Sequence, residues 1–142
     1  MEKRDILIKI SKFRTSKERI DFLNKVSKGK GMKPETRKYV YEVLGDAYFT
    51  EGNVDDANDC YKKIGLDKEF IKKGDELVEK GKLWDATELY EKGGALDKIS
   101  KIGDMLVKRG WLSGAYEAYK IAKDKVKAEL TYKKLKEMPA AA

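Results

Sequence analysis

The chain contains no histidine and a single cysteine, Cys60. Neither a Ser-His-Asp nor a Cys-His arrangement can form, because each needs an imidazole to carry the proton. Zinc sites fail on the same count, since they draw on several His or Cys ligands. Carboxylates remain, and three of them, Asp46, Asp75 and Asp104, recur at intervals of 29 residues. Packed helices lie about 8–10 Å apart, whereas a shared cation sits about 2.3–2.6 Å from each ligand oxygen. Carboxylates one repeat apart are therefore poorly placed to hold a metal together. A basic glycine-rich stretch, Lys28 to Pro34, lacks the spacing and the closing Lys-Ser/Thr of a P-loop, and no strand precedes it. It reads as a linker. The expectation is a non-enzyme with no catalytic residue, metal or cofactor, whose chemistry is recognition.

The three aspartates belong to a longer repeated text. Each follows a glycine (Gly45, Gly74, Gly103). Seven residues after that glycine comes a second one, at Gly52, Gly81 and Gly110. An alanine column (Ala57, Ala86, Ala115) and a tyrosine column (Tyr61, Tyr90, Tyr119) complete it. A fixed period in this range marks a stacked repeat. Each copy reads as two helices. Tyr41, Leu44, Gly45 and Tyr48 fall at i, i+3, i+4, i+7, as do Ile99, Ile102, Gly103 and Leu106, and Phe70, Gly74 and Leu77 keep part of the stripe. Glycine inside a helix costs roughly 1 kcal/mol against alanine, so the first column points to a close backbone crossing. The second column suits a left-handed helix end. The second helix is expected to bury Val54, Ala57 and Tyr61, or Leu83, Ala86 and Tyr90, or Leu112, Ala115 and Tyr119.

These columns, with the large residue four before the first glycine (Tyr41, Phe70, Ile99), resemble the tetratricopeptide repeat over about two-thirds of the chain. The resemblance implies an all-α fold: a right-handed superhelix of antiparallel helix pairs, a TPR-like α-α solenoid. The period of 29 is shorter than the family's about 34, Lys73 replaces an expected leucine, and the usual closing proline is missing. The lost residues are expected to come from the second helix and its exit. The whole chain, 1–142, reads as one solenoid domain with repeats at 37–65, 66–94 and 95–123.

An N-terminal helix pair occupies 1–28. Its first helix spans 2–14 with Ile6, Leu7, Ile10 and Phe13 on one side, and Thr15 to Glu18 reads as a capping box opening the second. Pro34 suits the first turn of the next helix, and Asn53 is a candidate cap for a later one. Residues 124–138 read as a capping helix with Val126, Leu130 and Leu135 apolar, ended by Pro139. The lone cysteine fits a reducing compartment and reads as a small buried hydrophobe. No apolar run reaches the roughly 20 residues that span a bilayer, and no signal-peptide core opens the chain. A cytoplasmic location without membrane insertion is expected.

Charge is unevenly spread. Residues 1–38 carry a balance of +8, residues 39–97 of −7 and residues 98–142 of +6. By the resemblance, a partner segment lies along the concave face, lined by one stripe of each first helix. Carried over, that stripe is Tyr39, Glu42, Asp46 and Phe49, then Lys68, Ile71, Asp75 and Val78, then Asp97, Ser100, Asp104 and Lys108. Family members that clamp a C-terminal carboxylate use Lys and Asn. The Asn column is Asp here, so such a guest meets repulsion. The expected partner is a basic, partly apolar segment of another protein, with the aspartates as its charge register, because helix interiors do not themselves favour Asp. The alternative is a nucleic-acid-associated protein using Lys9, Lys12, Arg14, Lys17, Arg19, Lys25, Lys28 and Lys30. Self-association through opposite charge is a third expectation.

Overall fold

A computed structural model describes residues 1–138, and Pro139 lies outside them. The described residues form helices joined by short turns, with no strand among them. In order these are α1 (Lys3–Ile10), α2 (Ser16–Ser27), α3 (Pro34–Thr50), α4 (Val54–Lys63), α5 (Leu66–Glu79), α6 (Leu83–Gly93), α7 (Leu96–Lys108), α8 (Leu112–Ile121) and α9 (Lys125–Glu137). No helix among the described residues is long and apolar enough to cross a membrane. The chain divides into two compact units, Met1–Phe70 and the residues from Ile71 onward.

In the first unit α3 packs against α1, α2 and α4. Ile6, Ile10, Leu23, Val40, Leu44 and Cys60 form one buried cluster, and Ala57, Tyr61 and Leu66 another. Phe13 and Phe22 pack against the first cluster with ring centroids 5.5 Å apart. In the second unit α7 packs against α6 and α8, and α8 against α9. Its core runs from Leu83, Ala86 and Tyr90 through Ile99, Ile102 and Leu106 to Ala115 and Tyr119.

The turn after each first helix repeats bond for bond. After each first helix, Gly52, Gly81 and Gly110 adopt φ of 82°, 76° and 78°. The next residue's N–H then reaches five residues back, to the carbonyls of Tyr48, Leu77 and Leu106, each at 2.9 Å. This is the Schellman closure, in which the amides of the left-handed residue and of the one after it satisfy the last carbonyls. A second left-handed column sits at Gly65, Gly94 and Lys123, with φ of 73°, 73° and 58°. There the N–H groups of Ala95 and Asp124 reach the carbonyls of Tyr90 and Tyr119 at 2.9 Å. Repeats therefore exit through a tight turn, and the second helices (10, 11 and 10 residues) are shorter than the first (17, 14 and 13).

Several local expectations are corrected. α1 stops at Ile10 rather than 14, where the Ser11 hydroxyl donates to the Ile8 carbonyl at 2.6 Å and draws off a helical acceptor. Leu7 is 51% exposed rather than part of its apolar side. By contrast, Pro34 opens the first turn of α3 as expected, and the helix buries Thr36 ahead of the repeat start at 37. Asn53 precedes α4 without a side-chain cap, because its backbone is committed to the Schellman closure. Val54 and Leu112 are only half-buried, unlike Leu83. On α9 the buried residues are Ala128 and Thr131, whereas Val126 and Leu130 are 69% and 55% exposed. Half of the capping box forms: Thr15 Oγ1 accepts from the Glu18 N–H at 3.2 Å, while the Glu18 carboxylate accepts from the Thr15 hydroxyl at 3.1 Å instead of from its backbone N–H. Cys60 is buried, and that burial pushes its thiol up to about 11.

Candidate functional site

The glycine, aspartate and tyrosine columns form one physical unit. Tyr61, Tyr90 and Tyr119 each lay their ring on the glycine of the preceding helix. A Cβ added at Gly45 or Gly74 would lie 2.6 Å from the tyrosine Cε1, and one at Gly103 closer still. Glycine is needed there to admit an aromatic ring, not a second backbone as the sequence led us to expect. The ring's far end then meets the next residue. Tyr61, Tyr90 and Tyr119 donate their hydroxyls to Asp46, Asp75 and Asp104 at 2.6, 2.5 and 2.5 Å. A buried ring with its polar tip at the surface is the usual lodging of tyrosine. The aspartate column thus has a folding role, contrary to the premise that the fold needs no acid there.

Lysines of the following first helix complete two of these units. Lys98 reaches Asp75 at 2.8 Å, and Lys127 reaches Asp104 at 3.0 Å. The Lys98 bond, with the Tyr90 hydroxyl, holds the Asp75 carboxyl below the usual carboxylate range. Partial burial pushes Asp104 up, but Tyr119 and Lys127 outweigh it, and its carboxyl also lies low. Burial comes first, and the facing carboxylate second, in raising all three tyrosines above their ordinary value. The aspartates stay reachable all the same: the Asp75 and Asp104 side chains are 47% and 42% exposed, and Asp46 is exposed. The lysine column reads Glu69, Lys98, Lys127, so an acid stands where the first copy would carry its lysine.

The remaining stripe residues divide by chemistry. Tyr39 and Phe49 pack against the cores of the first unit, and Lys3 lies over the Tyr39 ring at 5.1 Å. Ile71 and Val78 pack against the core of the second. Glu42, Lys68, Asp97 and Lys108 are exposed. Lys108 sits one residue beyond the column shared by Phe49 and Val78, where Val107 packs instead. Ser100 donates to Asp124 at 2.7 Å, and Asp124 also caps α9 through the Lys127 N–H. Among the described residues no group of three His, Cys, Asp or Glu is arranged to hold a metal ion.

The lysine partners were missed in the sequence. The constant spacing of 15 from Asp to Tyr and of 23 from Asp to Lys98 or Lys127 was the signal available. Compared with protein-family models, curated proteins and solved structures, the chain matches none.

Proposed function

We propose that this protein is a non-enzymatic interaction scaffold, a TPR-like right-handed superhelix whose first-helix stripe receives a basic, partly apolar segment of another protein. One observation carries the reading. Each stripe carboxylate is fixed by a tyrosine hydroxyl yet remains exposed, and the carboxylate of the first copy has an acid at its lysine column. A fixed acceptor loses little side-chain entropy when a guest cation arrives, which favours binding. Asp75 and Asp104 already have lysines, so a guest must displace these. Asp46, flanked by Glu42 and with Glu69 in the lysine column, is the point that receives a guest Lys or Arg most readily.

The test separates binding from folding. Glu69→Lys supplies the first copy with the lysine that the other two possess. That internal cation should occupy Asp46, hold or slightly raise the melting temperature, and abolish capture of basic, apolar peptides. Glu42→Lys should weaken capture at unchanged melting temperature. Asp75→Lys is the poorer probe, since it also breaks the Tyr90 and Lys98 contacts. Full capture by Glu69→Lys would refute the proposal. Capture of nucleic acid, lost on nuclease treatment or at moderate salt, would favour the basic N-terminal helices instead. Phe13 and Phe22 are partly buried against the core, which makes them poor stacking platforms for that alternative.

A further inference from the structure

The three copies serve as internal controls, because a residue present in only one copy is not required by the repeat. Trp84 and Trp111 are the chain's only tryptophans. The other copies place Asp55 and Ser113 at the Trp84 column, and Asn53 and Lys82 at the Trp111 column. The two indoles nevertheless meet edge to face, with centroids 5.9 Å apart and planes at 87°. They are 39% and 49% exposed. Gly114, where the other copies have Asp56 and Asp85, lets Trp111 lie down, since an added Cβ would come within 2.8 Å of its Cδ2. Lysines lie over Tyr90, Tyr116 and Tyr119 in the same unit. The indole pair keeps its exposure.

The turns that carry the pair are basic. Lys80, Lys82, Lys108 and Arg109 are all exposed there, against one exposed acid, Glu79. The corresponding turn of the first copy has Thr50, Glu51 and Asn53 at these columns. Exposed tryptophans are the residues most enriched at interface hot spots, and four clustered cations set the sign of what approaches. Asp85 and Glu88 follow Trp84 along α6, away from that turn.

We propose that the Trp84–Trp111 pair is a docking site for an acidic protein segment. One aliphatic or aromatic side chain of that segment enters the corner between the indoles, and its carboxylates face the four cations. A nucleic-acid strand fits less well, because bases stack on parallel faces and perpendicular rings leave no slot between them. The site is independent of the aspartate stripe.

A displayed library of random 12-residue peptides, selected on the full chain, tests this. Counter-selection uses the variant Trp84→Ser/Trp111→Asn, which carries residues the other copies have at these columns. Peptides with Asp or Glu flanking a Phe, Leu or similar residue should be enriched on the parent and lost on the variant. Titrated into the parent, such a peptide should shift tryptophan emission to the blue and saturate, since all tryptophan emission comes from this pair. Lys82→Asn/Arg109→Glu, at exposed positions, should weaken binding at least tenfold and keeps the test decisive if the tryptophan variant fails to fold. Overturning results are enriched peptides without acidic residues, equal binding to both variants, and no enrichment on the parent. A saturating emission shift with oligouridine alone would reassign the patch to nucleic acid.

Discussion

At the scale of single residues, the tyrosine–aspartate–lysine contacts govern the pH response. Asp75 and Asp104 have folded-state values below the ordinary carboxylate value of about 3.9. Their contribution is therefore present at neutral pH and disappears as pH falls below about 4 and through the folded values. The tyrosines are raised above their ordinary value of about 10. Their contribution is complete below pH 10 and lost as pH climbs above it. Thermal melts across both limits should show the parent falling off at each end, with Tyr90→Phe/Tyr119→Phe less sensitive at both. At pH 7 Tyr119→Phe should cost about 1 kcal/mol, near the net value of one hydrogen bond, because Asp104 remains open to water. Cys60, with its thiol raised by burial, should react with a thiol reagent at pH 8 only as fast as the fold opens.

At the scale of elements, the ring-on-glycine contact outweighs helix propensity. Gly74→Ala would gain up to about 1 kcal/mol of propensity on an open helix. Here its Cβ meets the Tyr90 ring at 2.6 Å, and overpacking of this kind costs about 1–3 kcal/mol. Denaturant unfolding should therefore find Gly74→Ala less stable than the parent. Tyr90→Ala should cost about 3–5 kcal/mol through the cavity it opens, since Tyr90 is 3% exposed. The opposite sign is expected at Lys123. It holds φ 58° in the column where the other copies have Gly65 and Gly94, and left-handed backbone costs a non-glycine residue about 1–2 kcal/mol. Lys123→Gly should stabilise by about 0.5–1 kcal/mol after the added freedom of the unfolded chain is counted. A melt with Lys123→Gly below the parent would show that the lysine's own contacts matter more than its backbone.

For the whole molecule, each compact unit has its own buried core, so protection from hydrogen exchange should follow those cores. Amides of α3, α4, α7 and α8, which bury Leu44, Tyr61, Ile102 and Tyr119, are expected to exchange slowest. α1, with Ile6 and Ile10 as its buried residues, should exchange early. Uniform exchange along the chain would contradict this order. Charge works at the same scale. The negative balance of 39–97 and the positive balances on either side should make the proposed binding salt-dependent, since exposed charges are screened beyond about 10 Å at 0.1 M salt.

The sequence by itself determined the helical class, the period and the positions of the turns. Those depend on local chemistry: glycine for a left-handed residue, and apolar residues at helical spacing. Gly52, Gly81 and Gly110 were legible as helix ends because backbone sterics act within a few residues. The roles of Gly74 and Asp75 were not, because both depend on Tyr90, which only tertiary packing brings onto them. Lys98 and Lys127 became partners of Asp75 and Asp104 in the same way, across neighbouring helices. The buried face of α9 was misjudged for a related reason. Val126 and Leu130 are more apolar than Ala128 and Thr131, yet contact with α8 selects the small residues. Hydrophobicity ranks what a residue would gain from burial, while only the packed fold decides which residue is given a neighbour.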